Sequence, residues 1–176
     1  LNQITNVRQY AGPDTSSTYQ DVVMTYDGHA RLKTRHVPAQ DAGKATAYTY
    51  NADDQIATVT DTRGVVTNYG YNSRHLLTSV SYTVPQEVTV APAPGVTFTY
   101  NAVGNRESMT EKDAQNNVVG STTYSYDNLS RLQSETRQFG GLSGNFTLSY
   151  TYSQSGQLKS ITDPFNSTIN YAYDGA

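Results

Sequence analysis

Apolar and polar residues alternate along most of this chain, and a pair of aromatics two residues apart is the strongest recurring beat. The segments Met24-Thr25-Tyr26-Asp27, Tyr48-Thr49-Tyr50-Asn51, Tyr69-Gly70-Tyr71-Asn72, Phe98-Thr99-Tyr100-Asn101, Tyr124-Ser125-Tyr126-Asp127, Tyr150-Thr151-Tyr152-Ser153 and Tyr171-Ala172-Tyr173-Asp174 share one pattern: aromatic, small residue, Tyr, then Asp or Asn. Only Met24 and Ser153 depart from it. The second tyrosines recur at intervals of 21 to 29 residues, so the variation in length belongs to loops. Five and six places after each anchor a polar residue is followed by Leu or Ile, as in Arg31-Leu32, Gln55-Ile56, Arg131-Leu132 and Gln157-Leu158. The copies at Tyr71 and Tyr100 carry Leu76-Leu77 and Asn105-Arg106 there instead.

Residues two apart project from one face of a strand, and Tyr, Thr and Val suit a pleated, half-buried surface. The Asp or Asn that follows, with small polar residues and often Gly, predicts a tight turn. A return strand comes next, and then a second turn such as Asp61-Thr62-Arg63-Gly64 or Asp163-Pro164-Phe165-Asn166. Each repeat is therefore expected to be two antiparallel strands. Successive repeats give an all-β meander that buries one face through its tyrosine row, since no hairpin is stable alone. Leu158 and Ile161, like Ile56 and Val59, are three apart and would point to opposite faces of a regular strand. Either a bulge lies between them or the sheet packs on both sides.

No helical period of appreciable length is present. Residues 84–95, with Pro85, Pro92 and Pro94, and 137–145, with Gly140, Gly141 and Gly144, read as long loops. Residues 1–18 lack the anchor pattern and are expected to be an N-terminal segment or partial repeat, with the repeat sheet over 19–176. The seventh copy has no downstream half, so the chain reads as a piece of something larger.

Composition narrows the function classes. The hydrophobic share is 36%, below the roughly 45 to 50% of ordinary domains, yet the net charge is only −3 and there are 15 Tyr, which is not the signature of disorder. Zero Cys excludes disulfides and thiolate metal sites. No stretch approaches the ~18 apolar residues of a membrane span. The 12 Lys and Arg are scattered among 15 Asp and Glu without a basic run, which argues against a nucleic-acid partner.

The alternation of Tyr-x-Tyr-[Asp/Asn] with Gly/Ser-[Arg/Gln]-Leu-x-Ser-[Ile/Val]-Thr-Asp resembles the YD repeat of the Rhs family, over residues 19 to 176 and in seven copies. That family includes Rhs proteins, the C component of bacterial insecticidal toxin complexes and the teneurins. The resemblance implies a curved, open segment of a spiralling β-sheet, taken from a shell that encloses a toxic C-terminal domain in a large secreted or cell-surface bacterial protein. The implied partners are adjoining repeats, the enclosed toxin domain and, through exposed strand edges, other copies of the chain. The family's C-terminal self-cleavage motif has no match here, because Asp163-Pro164 is a lone dipeptide in a turn. No catalytic residue is carried over.

Other candidate chemistry is sparse. Tyrosine rows beside Asn and Asp could stack on sugar rings, which would make the chain an adhesion or carbohydrate-binding module. Packing explains better why the same residues define every repeat. His29, His36 and His75 have no ligand spacing, and Asp53-Asp54 lacks the alternating acidic residues and Gly of a calcium loop. No Gly-x-Ser-x-Gly elbow exists. The chain is thus expected to be non-catalytic and free of metal and cofactor. The acceptor patterns Asn128-Leu129-Ser130, Asn145-Phe146-Thr147 and Asn166-Ser167-Thr168 are what chance supplies in so Asn-, Ser- and Thr-rich a chain.

Overall fold

The computed structural model describes residues 2–12, 18–89 and 95–174. The expected loop prolines Pro92 and Pro94 and the last residues, Gly175 and Ala176, lie outside the described residues. Every described element is a strand. They are β1 (Asn6–Tyr10), β2 (Tyr19–Tyr26), β3 (Leu32–His36), β4 (Thr46–Tyr50), β5 (Ile56–Thr60), β6 (Val66–Tyr71) and β7 (Leu77–Thr83). There follow β8 (Gly95–Tyr100), β9 (Arg106–Lys112), β10 (Val118–Tyr126), β11 (Leu132–Phe139), β12 (Phe146–Tyr152), β13 (Leu158–Thr162) and β14 (Thr168–Asn170). They form one antiparallel meander in chain order from β1 to β14, open at both ends. The all-β expectation therefore holds, with a hairpin after every aromatic pair except the last, Tyr171 and Tyr173, which follows β14.

The chain divides into two compact units, Leu1–Gly70 with Ser81–Ala91, and Tyr71–Val80 with Pro92–Ala176. In the first unit β1, which lacks the anchor pattern, pairs with β2 from Asn6 opposite Val23 to Tyr10 opposite Tyr19. Its Arg8 bridges to Asp21 at 2.6 Å and lies 3.7 Å from the centroid of Tyr19. In the second unit β10 is the longest strand, and it pairs with β9 on one side and β11 on the other.

Register resolves the Leu158–Ile161 question in favour of a bulge. Tyr150 lies opposite Ile161 and Tyr152 opposite Leu158, with the register shifting between Thr151 and Tyr152. Lys159 is the extra residue, so Leu158 and Ile161 both share the face of the two tyrosines. The same shift recurs at Tyr26/Leu32, Tyr50/Ile56, Tyr100/Arg106 and Tyr126/Leu132.

Two expectations need correction. Residues 137–139 are not loop: β11 runs on to Phe139, with Arg137 opposite Thr122 and Gly120 opposite Phe139. The cross-strand partner β10 is long enough to pair them, and the glycines break the strand only from Gly140 onward. Nor does the tyrosine row make a closed core. Among the described residues no hydrophobic side chain is fully shielded, and only Gly120, Thr122 (5% exposed) and Ser160 (9%) are buried. Within each unit the strands touch only their ladder neighbours, so the rings are half-buried by one another rather than capped by a second layer.

Candidate functional site

The joint between one hairpin and the next is where sequence pattern and geometry coincide. It begins at the turn. In Asp27, Asn51, Asn72, Asn101 and Asp127 the side-chain Oδ1 accepts from the backbone N–H groups two and four residues on, at 2.9–3.1 Å. Ser153 does the same work with its hydroxyl, which accepts from Gln157 N at 3.1 Å. The fourth residue of each turn is left-handed: Ala30, Asp54, His75, Gly104, Ser130 and Gly156 have φ between 60° and 95°. A type I turn closed by a left-handed residue suits a three-residue hairpin loop. Asp61, Asp113 and Asp163 repeat the device at β5–β6, β9–β10 and β13–β14.

The second tyrosine of each motif ties its hairpin to the previous one. Tyr50 donates its hydroxyl to Leu32 O at 2.7 Å, Tyr100 to Leu77 O at 2.7 Å, Tyr126 to Arg106 O at 2.9 Å, Tyr152 to Leu132 O at 2.8 Å and Tyr173 to Leu158 O at 2.9 Å. Each acceptor is the first residue of the preceding return strand. Leu32, Arg106, Leu132 and Leu158 sit where a bulge interrupts the ladder. Tyr26 donates to Ile4 O at 2.7 Å, outside that scheme. Burial raises the hydroxyl pKa of Tyr50 and Tyr126, so they stay neutral donors.

Arginines in the turns add a second tie. Arg31 pairs with Asp27 of its own turn at 2.7 Å, reaches Asp54 in the next turn at 2.5 Å, and stacks 4.6 Å from the centroid of Tyr50. Arg131 repeats this with Asp127 at 2.7 Å, Ser153 O at 3.4 Å and the Tyr152 ring at 4.6 Å. Arg74 donates to Asn101 O and Ala102 O of the following turn, at 2.9 and 2.5 Å. The Arg31 side chain, helped by backbone N–H groups, holds the Asp27 carboxyl at about 2. The Arg131 backbone N–H and then its side chain lower Asp127 likewise.

The opposite face carries a ladder of hydroxyls. Thr25 meets Thr34, Thr49 meets Thr58, Thr99 meets Ser108, Ser125 meets Ser134 and Thr151 meets Ser160, all with Oγ atoms 2.6–2.8 Å apart. The small residue of the aromatic motif thus has a paired role of its own.

The first aromatics Tyr48, Tyr69, Phe98, Tyr124 and Tyr150 lie on β4, β6, β8, β10 and β12, with Phe98 under Arg106 at 4.5 Å. Tyr71 closes β6, and Tyr171, Tyr173 and Asp174 follow β14. His29 and His75 occupy turns, His36 ends β3 with Nδ1 against Lys44 O, and no three His, Asp or Glu converge among the described residues. Asn128 and Asn166 lie in turns, and Asn145 Oδ1 accepts from Gln138 at 2.8 Å.

The repeating joint has a counterpart among known families. The RHS Repeat family model matches residues 50–85, a span from the anchor Tyr50 through β5, β6 and β7. That stretch is similar to one RHS repeat. No curated protein matches its sequence. Among solved structures, TcdB2-TccC3 without its hypervariable C-terminal region superposes with a TM-score of 0.69 at 22% identity, covering 86% of this chain and 9% of the other. The Photorhabdus luminescens Tc holotoxin pore, with the TccC3 mutation D651A, gives 0.59 at 22% identity, over 86% and 10%. A porin-like protein from Bacteroides uniformis gives 0.52 at 15% identity, over 96% and 83%. At these identities the likeness is one of fold, and this chain spans about a tenth of the Tc proteins it matches.

Sequence reasoning missed the arginine ties, although a signal was present. Where the turn residue is Asp27 or Asp127, Arg stands four places on. Where it is Asn51 or Ser153, Gln stands there, and Asn51 Nδ2 donates to Gln55 at 3.3 Å.

Proposed function

We propose that this chain is a non-catalytic wall segment of a shell in a large exported bacterial protein, and that the shell encloses a toxic domain. One observation carries the proposal: Tyr50, Tyr100, Tyr126, Tyr152 and Tyr173 each tie their strand to the preceding return strand through the same hydroxyl–carbonyl bond, with arginine ties added at Arg31, Arg74 and Arg131, so the sheet grows by repetition without needing a second layer to cap it. A wall of that kind separates two spaces. The fold likeness to TcdB2-TccC3, whose C-terminal region is described as hypervariable, supports a container whose contents vary while its wall does not. The use of anchor hydroxyls on backbone carbonyls favours a wall over a sugar-stacking platform, which would need those groups for its ligand.

The test is limited proteolysis of the complete polypeptide that contains this segment. Enclosure predicts a C-terminal domain that resists protease while the wall is intact and is cut once mild denaturant opens it. A C-terminal domain cut equally fast in both conditions overturns the container. The open edges of β1 and β14 also predict self-association of the isolated chain, which light scattering would show as a mass above that of the monomer.

A further inference from the structure

The tyrosine face of the second unit holds charges that the repeat pattern does not require. Across β9, β10, β11 and β12 one row runs Met109, Thr122, Arg137, Phe146, and the next runs Tyr124, Glu135, Leu148. Arg137 has partners of its own. Its Nη2 donates to Glu111 Oε2 at 2.7 Å, its Nη1 to Thr122 Oγ1 at 3.4 Å, and its guanidinium lies 4.9 Å from the centroid of Phe139. Gly120 leaves the space that Glu111 occupies, since a Cβ there would stand 2.5 Å from Glu111 Oε2.

Glu135 is different. Its hydrogen bond comes from the Tyr150 hydroxyl, at 2.8 Å, and among the described residues no cation forms an ion pair with it. Burial first, and Glu135 second, push the Tyr150 hydroxyl up to about 12, so this donor brings no positive charge. Glu111, Arg137 and Glu135 together therefore carry one net negative charge. The half-buried carboxylate lines a cavity of about 330 Å³ together with Thr122 and Arg137, whose charge is spent on Glu111, and the other walls are Tyr124, Phe139, Phe146, Leu148 and Pro164. Phe139 and Phe146 meet edge to face there, with centroids 5.4 Å apart.

A half-buried carboxylate with no direct ion pair attracts a cation, and apolar walls strengthen that attraction. The volume is at the low end of the roughly 300 to 1,000 Å³ of ligand pockets, which fits one side chain rather than a large ligand. Aromatic walls favour a flat, weakly hydrated cation over a compact ammonium. We propose that this cavity receives the guanidinium of an arginine side chain from a polypeptide lying on the tyrosine face, with Glu135 accepting its N–H groups and the rings flanking its planar head. The inference is independent of whether the wall encloses a toxin.

The test is an NMR titration of the 176-residue chain with a blocked Gly-Arg-Gly peptide and with its citrulline counterpart, which keeps the shape and loses the charge. The arginine peptide is expected to bind at least about ten-fold more tightly, with amide shifts centred on Tyr124, Glu135 and Phe146. Glu135→Gln, which still accepts from Tyr150, should erase the preference. Tyr150→Phe should keep or strengthen it by freeing a carboxylate oxygen. Equal binding of the two peptides, a preference that survives Glu135→Gln, or a Gly-Lys-Gly peptide binding as well as the arginine one overturns the proposal.

Discussion

Replacing Tyr152 by Phe removes one oxygen and leaves the ring, so it isolates the tie between the β10–β11 and β12–β13 hairpins. The lost bond, to Leu132 O at 2.8 Å, is worth about 0.5–1.5 kcal/mol net. Leu132 is half-buried at a bulge, so its carbonyl is only partly rescued by water, and the expected total is about 1–2 kcal/mol. Arg131 still stacks on the Phe ring, because its 4.6 Å contact needs no hydroxyl. For a chain of this size the loss corresponds to a fall in Tm of roughly 2–8 °C. The assay is urea unfolding followed by tyrosine fluorescence, which is unobscured because the chain has no Trp. The control is Tyr48→Phe, whose hydroxyl has no hydrogen-bond partner among the described residues, and which should stay within about 0.5 kcal/mol of wild type. In a chain stabilised by nearest-neighbour ties, amide exchange should also rise on both sides of the weakened joint. Equal effects of the two substitutions would refute the claim that second tyrosines act through their hydroxyls.

Further expectations follow from the same geometry. Gly156→Ala places a Cβ at φ 87° and should cost about 1–2 kcal/mol in chemical denaturation, whereas Ser130→Gly, at φ 60°, should stabilise. Thr151→Val orphans the buried Ser160 hydroxyl and should cost about 1 kcal/mol, with much of it recovered when Ser160→Ala is added; a double variant no better than the single contradicts the ladder. Asp27, with its folded pKa of about 2, lies below the roughly 3.9 of an unfolded Asp, so its contribution is complete above about pH 4 and is lost as pH falls toward 2. Asp27→Asn should flatten the fall of Tm with acid in that window, and an unchanged slope would count against the Arg31 pairing.

Much of this was open to sequence because its causes are local. Alternation with a period of two and an Asp or Asn at the turn specify strands and hairpins within a few residues, so the meander and its turns could be read from Tyr-x-Tyr-Asp alone. What sequence could not show depends on neighbours. The bulge at Lys159 was one of two possibilities until the register put Leu158 beside Tyr152. The strand through Arg137 and Phe139 exists because β10 is long enough to pair them, a property of the partner rather than of residues 137–139. Alternation told that tyrosines share a face, but not that within each unit no second layer of described residues caps it, since a half-buried ring and a core ring obey the same period. Asp27 and Arg31 are four apart and legible as a pair. Glu135 and Tyr150 are fifteen apart and meet only because two strands lie side by side.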